Sequence, residues 1–144
     1  MVSEQRILGI DFGQKRIGVA VSDPLGYTAQ GIETVENTGK KRVFEALSKI
    51  CKEYRVVEIV IGLPINMNGT AGPKAKEVLE LVPEMEAALG LPVKTWDERL
   101  TSREANRLMI EEGLSRKKQR ANSDRMAATL ILQNYLEYRR PKEV

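Results

Sequence analysis

An acid in the middle of an apolar strand constrains this chain more than any other feature. Ile7-Leu8-Gly9-Ile10-Asp11-Phe12 is a short apolar run closed by Gly13, the pattern of a core strand. An ionised carboxylate taken out of water costs several kcal/mol unless it is paired or holds a metal, so a core strand does not carry one by default. Gly13 then opens a tight turn, Lys15 and Arg16 bring positive charge, and Ile17, Val19 and Val21 alternate as a second strand. The other face of that strand is Gly18, Ala20 and Ser22, small enough for a helix or another backbone to approach closely. The stretch through Asp23 therefore reads as a hairpin built around Asp11. The alternative is an Asp that accepts backbone N–H bonds at the turn. Spacing alone does not choose between them.

After the turn Asp23-Pro24-Leu25-Gly26, residues Tyr27 to Val35 form a third strand with an awkward Gly31. Asn37 or Thr38 can cap a helix from Lys40 to Tyr54, whose Val43, Leu47, Ile50 and Tyr54 share one face. Val56 to Ile61 is the most β-prone run, apolar enough for burial on both faces, and ends in Gly62-Leu63-Pro64. A polar, glycine-rich loop follows from Asn66 to Gly72. Pro73 suits the first turn of a helix reaching Leu89 and stopped by Gly90, with a kink or break expected at Pro83. Leu91 to Trp96 is a short strand with Asp97-Glu98-Arg99 at its end. Thr101 and Glu104 fit a capping box opening a helix that ends near Gly113. A basic loop, Leu114 to Ser123, leads into a last helix from Ser123 to Tyr138. Three strands in a row followed by helix–strand units imply an α/β domain. Its mixed five-stranded sheet has an N-terminal antiparallel meander and helices on both faces. At 144 residues the chain has the size of a single domain, 1–144.

The residue inventory narrows the chemistry. There is no histidine, which removes histidine general bases, Ser-His and Cys-His nucleophiles and most zinc sites. Cys51 is the only cysteine and falls among apolar helix positions, the place of a small buried hydrophobe. With no disulfide within the chain, no cleavable signal pattern and no spanning apolar run, a cytoplasmic, membrane-free setting is expected. The net charge of +3 permits a polyanionic partner without demanding one.

Three acidic stations stand out by position: Asp11 in the first strand, Asp97 and Glu98 past the last strand, and Asp124 at the opening of the last helix. Ala127, Ala128, Ile131 and Tyr135 follow Asp124 at helical spacing, so it shares the inward face. The ordinary reading of Asp124 is a first-turn acid favoured by the helix dipole. Its pairing with Asp11 suggests more. Carboxylates converging on one site cannot all stay ionised unless cations join them, and hard oxygen ligands without histidine select Mg²⁺ or Mn²⁺. Two such ions roughly 4 Å apart clamp the attacking and leaving oxygens of a phosphoryl displacement without a protein nucleophile. Positive charge flanks each station: Lys15 and Arg16 after Asp11, Arg99 and Arg103 after Glu98, and Lys117, Lys118, Arg120 and Arg125 around Asp124. A charged loop is usually just solvated; beside a metal site it can steer and position phosphates. Tyr27 and Trp96 are able to stack on bases, though core packing is the ordinary role of each.

Ile10 to Asp23, Gly62-Leu63-Pro64 with Met67-Asn68-Gly69-Thr70, Asp97-Glu98-Arg99-Leu100-Thr101-Ser102, and Asp124 to Leu136 together resemble, in order, the motifs of the bacterial YqgF/RuvX family. The resemblance spans nearly the whole chain. It implies a ribonuclease H-like fold related to the junction resolvase RuvC, and a metal-dependent nuclease maturing the 5′ end of pre-16S rRNA. Carried over by motif, Asp11, the Asp97-Glu98 pair and Asp124 would be the catalytic, metal-binding acids, with Arg99 positioning phosphate. One departure stands: relatives of this fold often keep an acid at the end of the strand after the first helix, where this chain has Ile61-Gly62-Leu63-Pro64. The acid must come from the next strand. Regular alternation puts Asp97 on one face with Val93 and Thr95, and Glu98 with Trp96 on the other. Both are taken to line the site.

The partner expected is structured RNA, a ribosomal RNA precursor or a pre-ribosomal particle. The first alternative is a four-way DNA junction, cut with the same acids and ions by a dimer. The second is a nucleic-acid-binding module without turnover. The chain's spacing does not fix the oligomeric state.

Overall fold

The computed structural model describes residues 5–100 and 116–139, with the backbone alone for 116–124. Strands β1 (Arg6–Phe12), β2 (Arg16–Ser22) and β3 (Ala29–Glu36) form the antiparallel meander. Helix α1 (Lys40–Glu53) leads to β4 (Val56–Leu63), and α2 (Pro73–Leu89) to β5 (Val93–Asp97). β4 pairs parallel with β1, and β5 parallel with β4, giving the sheet order β3-β2-β1-β4-β5. Helix α3 (Arg116–Arg139) closes the described chain.

Strand alternation divides the interior in two. Leu8, Ile10 and Phe12 of β1 pack with Ile17, Val19 and Val21 of β2, and against Val43, Leu47 and Ile50 of α1 and Val78, Leu81 and Met85 of α2. Ile7, Ala20, Val60 and Trp96 point the other way, onto Ala128, Ile131, Leu132 and Tyr135 of α3. The small face of β2 is thus the one that receives a helix, and its Ser22 hydroxyl is buried, accepting the Ile7 N–H at 2.9 Å.

Helix α3 approaches so closely that three glycines are required beneath it. A Cβ on Gly9 would lie 2.6 Å from Leu132 Cβ and 3.1 Å from the Ala128 carbonyl oxygen. One on Gly62 would lie 2.5 Å from Ile131 Cδ1. The awkward Gly31 of β3 has the same explanation: its missing side chain makes room for Thr129 and Arg125.

Several local expectations are corrected. Arg116 to Ser123 are helical rather than a loop, because the run is built of strong helix formers with no glycine or proline. Helix α2 runs unbroken through Pro83, which lies on its exposed side where solvent can replace the lost bond. Gly39 at φ 120° precedes α1 with no side-chain cap, and the Asn37 amide donates instead to the Gly13 carbonyl at 3.1 Å. Asp23 is a turn acid, accepting N–H bonds from Leu25, Tyr27 and Thr28. Tyr27 is 53% exposed and so is not core. Cys51 is buried, and burial pushes its thiol up to about 11. The capping box and the helix expected from Thr101 to Gly113 lie outside the described residues.

Gly9→Ala tests the seat of α3. The new methyl meets a Cβ and a backbone oxygen, neither of which can swing away, so the substitution should cost about 1–3 kcal/mol. Thermal denaturation should show a fall of several degrees, whereas Leu25→Ala, at a site 69% exposed, should stay within about 0.5 kcal/mol of the parent.

Candidate active site

The parallel strands β1, β4 and β5 end together, and in open α/β sheets ligands bind outside such carboxyl ends. Ile10 pairs with Ile61, Gly62 with Trp96, and Leu63 with Asp97. Asp11 follows Ile7 and Gly9 on the α3 face of β1, half-buried, and its β2 neighbour is the side-chain-free Gly18. Burial of a strand-end acid beside an empty position leaves room for a second carboxylate.

Glu98 supplies it. Trp96 faces α3, Asp97 faces away, and the short 3₁₀ turn Glu98–Leu100 brings Glu98 back over Gly62. Its Cδ lies 3.3 Å from where a Cβ on Gly62 would stand. The carboxyl of Glu98 therefore fills the space that a side chain at the end of β4 would take. Its pKa is raised above 4.5, first by burial and then by the Asp11 charge, with Asp97 adding to the rise and Lys74 opposing it. The two acids Asp11 and Glu98 are thus held near enough to repel.

Asp97 behaves differently. Its carboxylate accepts from the Arg99 backbone N–H at 2.9 Å and from Arg99 Nη2 at 2.8 Å, with Nε also in reach. That guanidinium holds Asp97 below the usual carboxylate range. Of the paired acids Asp97 and Glu98, only Glu98 shares the Asp11 face.

Asp124 lies on the backbone of α3, one turn before Ala128, whose carbonyl sits over Gly9. Because the helix starts at Arg116, Asp124 is well inside it and not in its first turn, so a dipole role does not account for it. Its side chain, and those of Lys117, Lys118 and Arg120, lie outside the described residues, as does Arg103. Lys15 and Arg16 are exposed on the turn that follows Asp11, while Arg125 is half-buried over Gly31. Among the described residues no group of three acidic, histidine or cysteine side chains is close enough to hold a metal. No helix among them is long and apolar enough to cross a membrane.

Two contributors carried no sequence signal of their own. Lys74, in the first turn of α2, brings its charge to Glu98 from a helix start where a lysine is ordinarily solvated. Gly62 matters by what it lacks. The missing acid in Ile61-Gly62-Leu63-Pro64 was the available clue.

The RuvX family, described as Holliday junction resolvase, matches residues 5–138. The chain belongs to the RuvX family. It is 54% identical over 132 residues to a Clostridium kluyveri protein named "Putative pre-16S rRNA nuclease", covering 92% of this chain and 96% of that one. A Syntrophomonas wolfei protein of the same name is 49% identical, at 92% and 94% coverage. The fold of this RuvX member is the ribonuclease H-like fold of Thermus thermophilus RuvC (TM-score 0.62, 15% identity, 94% and 96% of the two chains). RuvC with a Holliday junction substrate matches at TM-score 0.59, with 15% identity and coverage of 94% and 95%. The fowlpox virus resolvase bound to junction DNA matches at 0.54, with 13% identity over 95% and 100%.

The raised Glu98 carboxyl makes a stability prediction. The stability contributed by its protonated form is complete below about 4.5 and is lost as pH rises through the folded value. Glu98→Gln should therefore unfold at higher temperature than the parent at about pH 8 in chelator. The gain, held under about 1 kcal/mol by partial exposure, should shrink near pH 4 in parallel melting curves.

Proposed function

We propose that this RuvX member is a nuclease that hydrolyses phosphodiester bonds in structured RNA, acting on the 5′ end of pre-16S rRNA. The observation that carries the reading is the convergence of Asp11 and Glu98 on one face at the strand ends, in a chain whose relatives bear a nuclease name. Two like charges kept together and partly desolvated oppose folding, and such pairs cluster at functional sites.

The donor set suits a hard divalent cation: carboxylate oxygens with no histidine, whose mutual repulsion a cation would relieve. Asp11 and Glu98, with Asp124 from α3, would hold Mg²⁺ or Mn²⁺. Two such ions, when bound, supply an activated water and charge stabilisation at the leaving oxygen. Lys15 and Arg16 bind phosphates beside Asp11. Asp97 fixes the Arg99 guanidinium, whose remaining N–H groups are free to orient a phosphate. Within this reading Asp97 is a positioning residue. The chain acts as one domain in the cytoplasm, and the pre-ribosomal particle presents the RNA.

A four-way DNA junction is the second substrate to weigh, because the matching family is described by that activity. The test uses the full chain with two labelled substrates, an RNA spanning the precursor 5′ junction and a four-way DNA junction, each in Mg²⁺, Mn²⁺ and chelator. Cleavage of the RNA should require metal and be abolished by Asp11→Asn, Asp124→Asn or Glu98→Gln, with RNA binding retained. Asp97→Asn should keep cleavage at a rate reduced roughly ten- to a hundredfold. Cutting of the DNA junction alone would transfer the assignment to a resolvase. Binding of both without cutting in any metal would make the protein a binding module.

A further inference from the structure

Along the outer edge of β5 runs a groove of about 420 Å³ lined by Leu63, Lys94, Trp96, Arg99, Tyr135 and Tyr138 among others. It reaches the carboxyl end of β5, where Asp97 and Arg99, the chain neighbours of Glu98, line it. Trp96 is two residues from Glu98, which stands at the start of the 3₁₀ turn that ends β5. Trp96 itself is only 6% exposed, and it carries two tyrosines edge-on: Tyr135 with ring centroids 6.1 Å away and Tyr138 at 5.5 Å. Tyr138 is 76% exposed, so a large aromatic ring is fixed on a buried support while most of its surface faces solvent.

The groove's polar groups are arranged to meet a ligand. Lys94 is held at 3.3 Å by Glu58, which also accepts from the Tyr135 hydroxyl. Arg99 is gripped by Asp97 through Nε and Nη2, while Nη1 lies 3.7 Å from the Cβ position of Gly69 on the loop beside the groove. Each cation is thus pre-oriented by an acid and keeps further donors for an incoming anion.

We propose that this groove holds an unpaired nucleotide next to the scissile bond, its base stacked on Tyr138 and its phosphates on Arg99 and Lys94. The proposal rests on the reading of the protein as one that acts on nucleic acid, and adds to it a single-stranded flank. Rigid aromatics with flanking cations are the means by which strands are held without sequence preference. A base inside a duplex hides the face that Tyr138 needs, so paired nucleic acid is the poorer occupant.

Trp96 is the only tryptophan of the chain, so its fluorescence reports on the groove directly. The full-length Asp11→Asn protein, in chelator so that nothing is cut, is titrated with short oligouridylate, oligothymidylate and an RNA duplex. Both single strands, or the RNA alone, should quench Trp96 more strongly than the duplex, and the comparison of the two separates RNA from DNA as the source. Adding Tyr138→Ala should weaken binding about five- to a hundredfold. Tyr138→Phe should retain it, and Leu25→Ala on the β2–β3 turn should leave it unchanged. Equal quenching by the duplex, or parental affinity in the Tyr138→Ala protein, would overturn the proposal. The nuclease reading is judged separately by cleavage in metal. A parent that cuts while Tyr138→Ala binds normally loses only the groove. A parent that never cuts while binding still depends on Tyr138 loses only the nuclease reading.

Discussion

Helix α3 comes as close to the sheet as it does because glycines beneath it carry no side chains to hold it off. Gly9, Gly31 and Gly62 stand on three strands under one helix, and the nearest atoms to their absent Cβ positions belong to α3. Close packing there buries Ala128, Ile131 and Leu132 against Ile7, Ala20 and Val60. The same approach creates the environment of Asp11. It follows Gly9 on the same face, at the margin where the helix–sheet interface gives way to solvent. A bulkier sheet would push α3 outward and leave Asp11 an ordinary surface acid.

Glycine at 62 also decides which acid joins Asp11. An acid at the end of β4 would occupy the space that Glu98 fills from the end of β5. The two arrangements are alternatives, since one volume near Asp11 can hold one carboxylate. Asp97, on the opposite face, is neutralised by Arg99 and costs the fold little. Among the described residues no cation grips Glu98 as Arg99 grips Asp97: burial and Asp11 raise its pKa against the pull of Lys74. Proteins tolerate such a conflict mainly where function requires it. That contrast between adjacent residues is the strongest physical sign of a site here, and it agrees with membership of the RuvX family.

One helix serves several purposes along its length. Its first half carries the basic run and Asp124, its middle seals the sheet, and its last turns set Tyr135 and Tyr138 against Trp96. The outer edge of β5 therefore receives aromatic side chains from the element that also covers Asp11. Any shift of α3 on its glycine seat would move both ends together.

Much of this was legible in the chain itself. Alternation in Ile7–Phe12 and Ile17–Ser22, the β-rich Val56–Ile61 run and the helical spacing of Val43, Leu47 and Ile50 determined the elements and their order. The periods of 2 and 3.6 act within one segment and need no partner. The out-of-place Asp11 pointed to the candidate site for the same reason, because burial of that run follows from its own composition. Segment ends were less secure: Arg116–Ser123 reads as part of a charged loop, yet its backbone is helical. Which of Asp97 and Glu98 turns toward Asp11 depended on a 3₁₀ turn and on the void at Gly62, which no local pattern encodes. Lys74 reached the acids, and Tyr138 reached Trp96, only through the packing of helices that lie far from those residues in sequence. Sequence patterning set which faces are buried; three-dimensional packing alone decided which charges and rings meet, because those meetings are set by distances between elements and not within them.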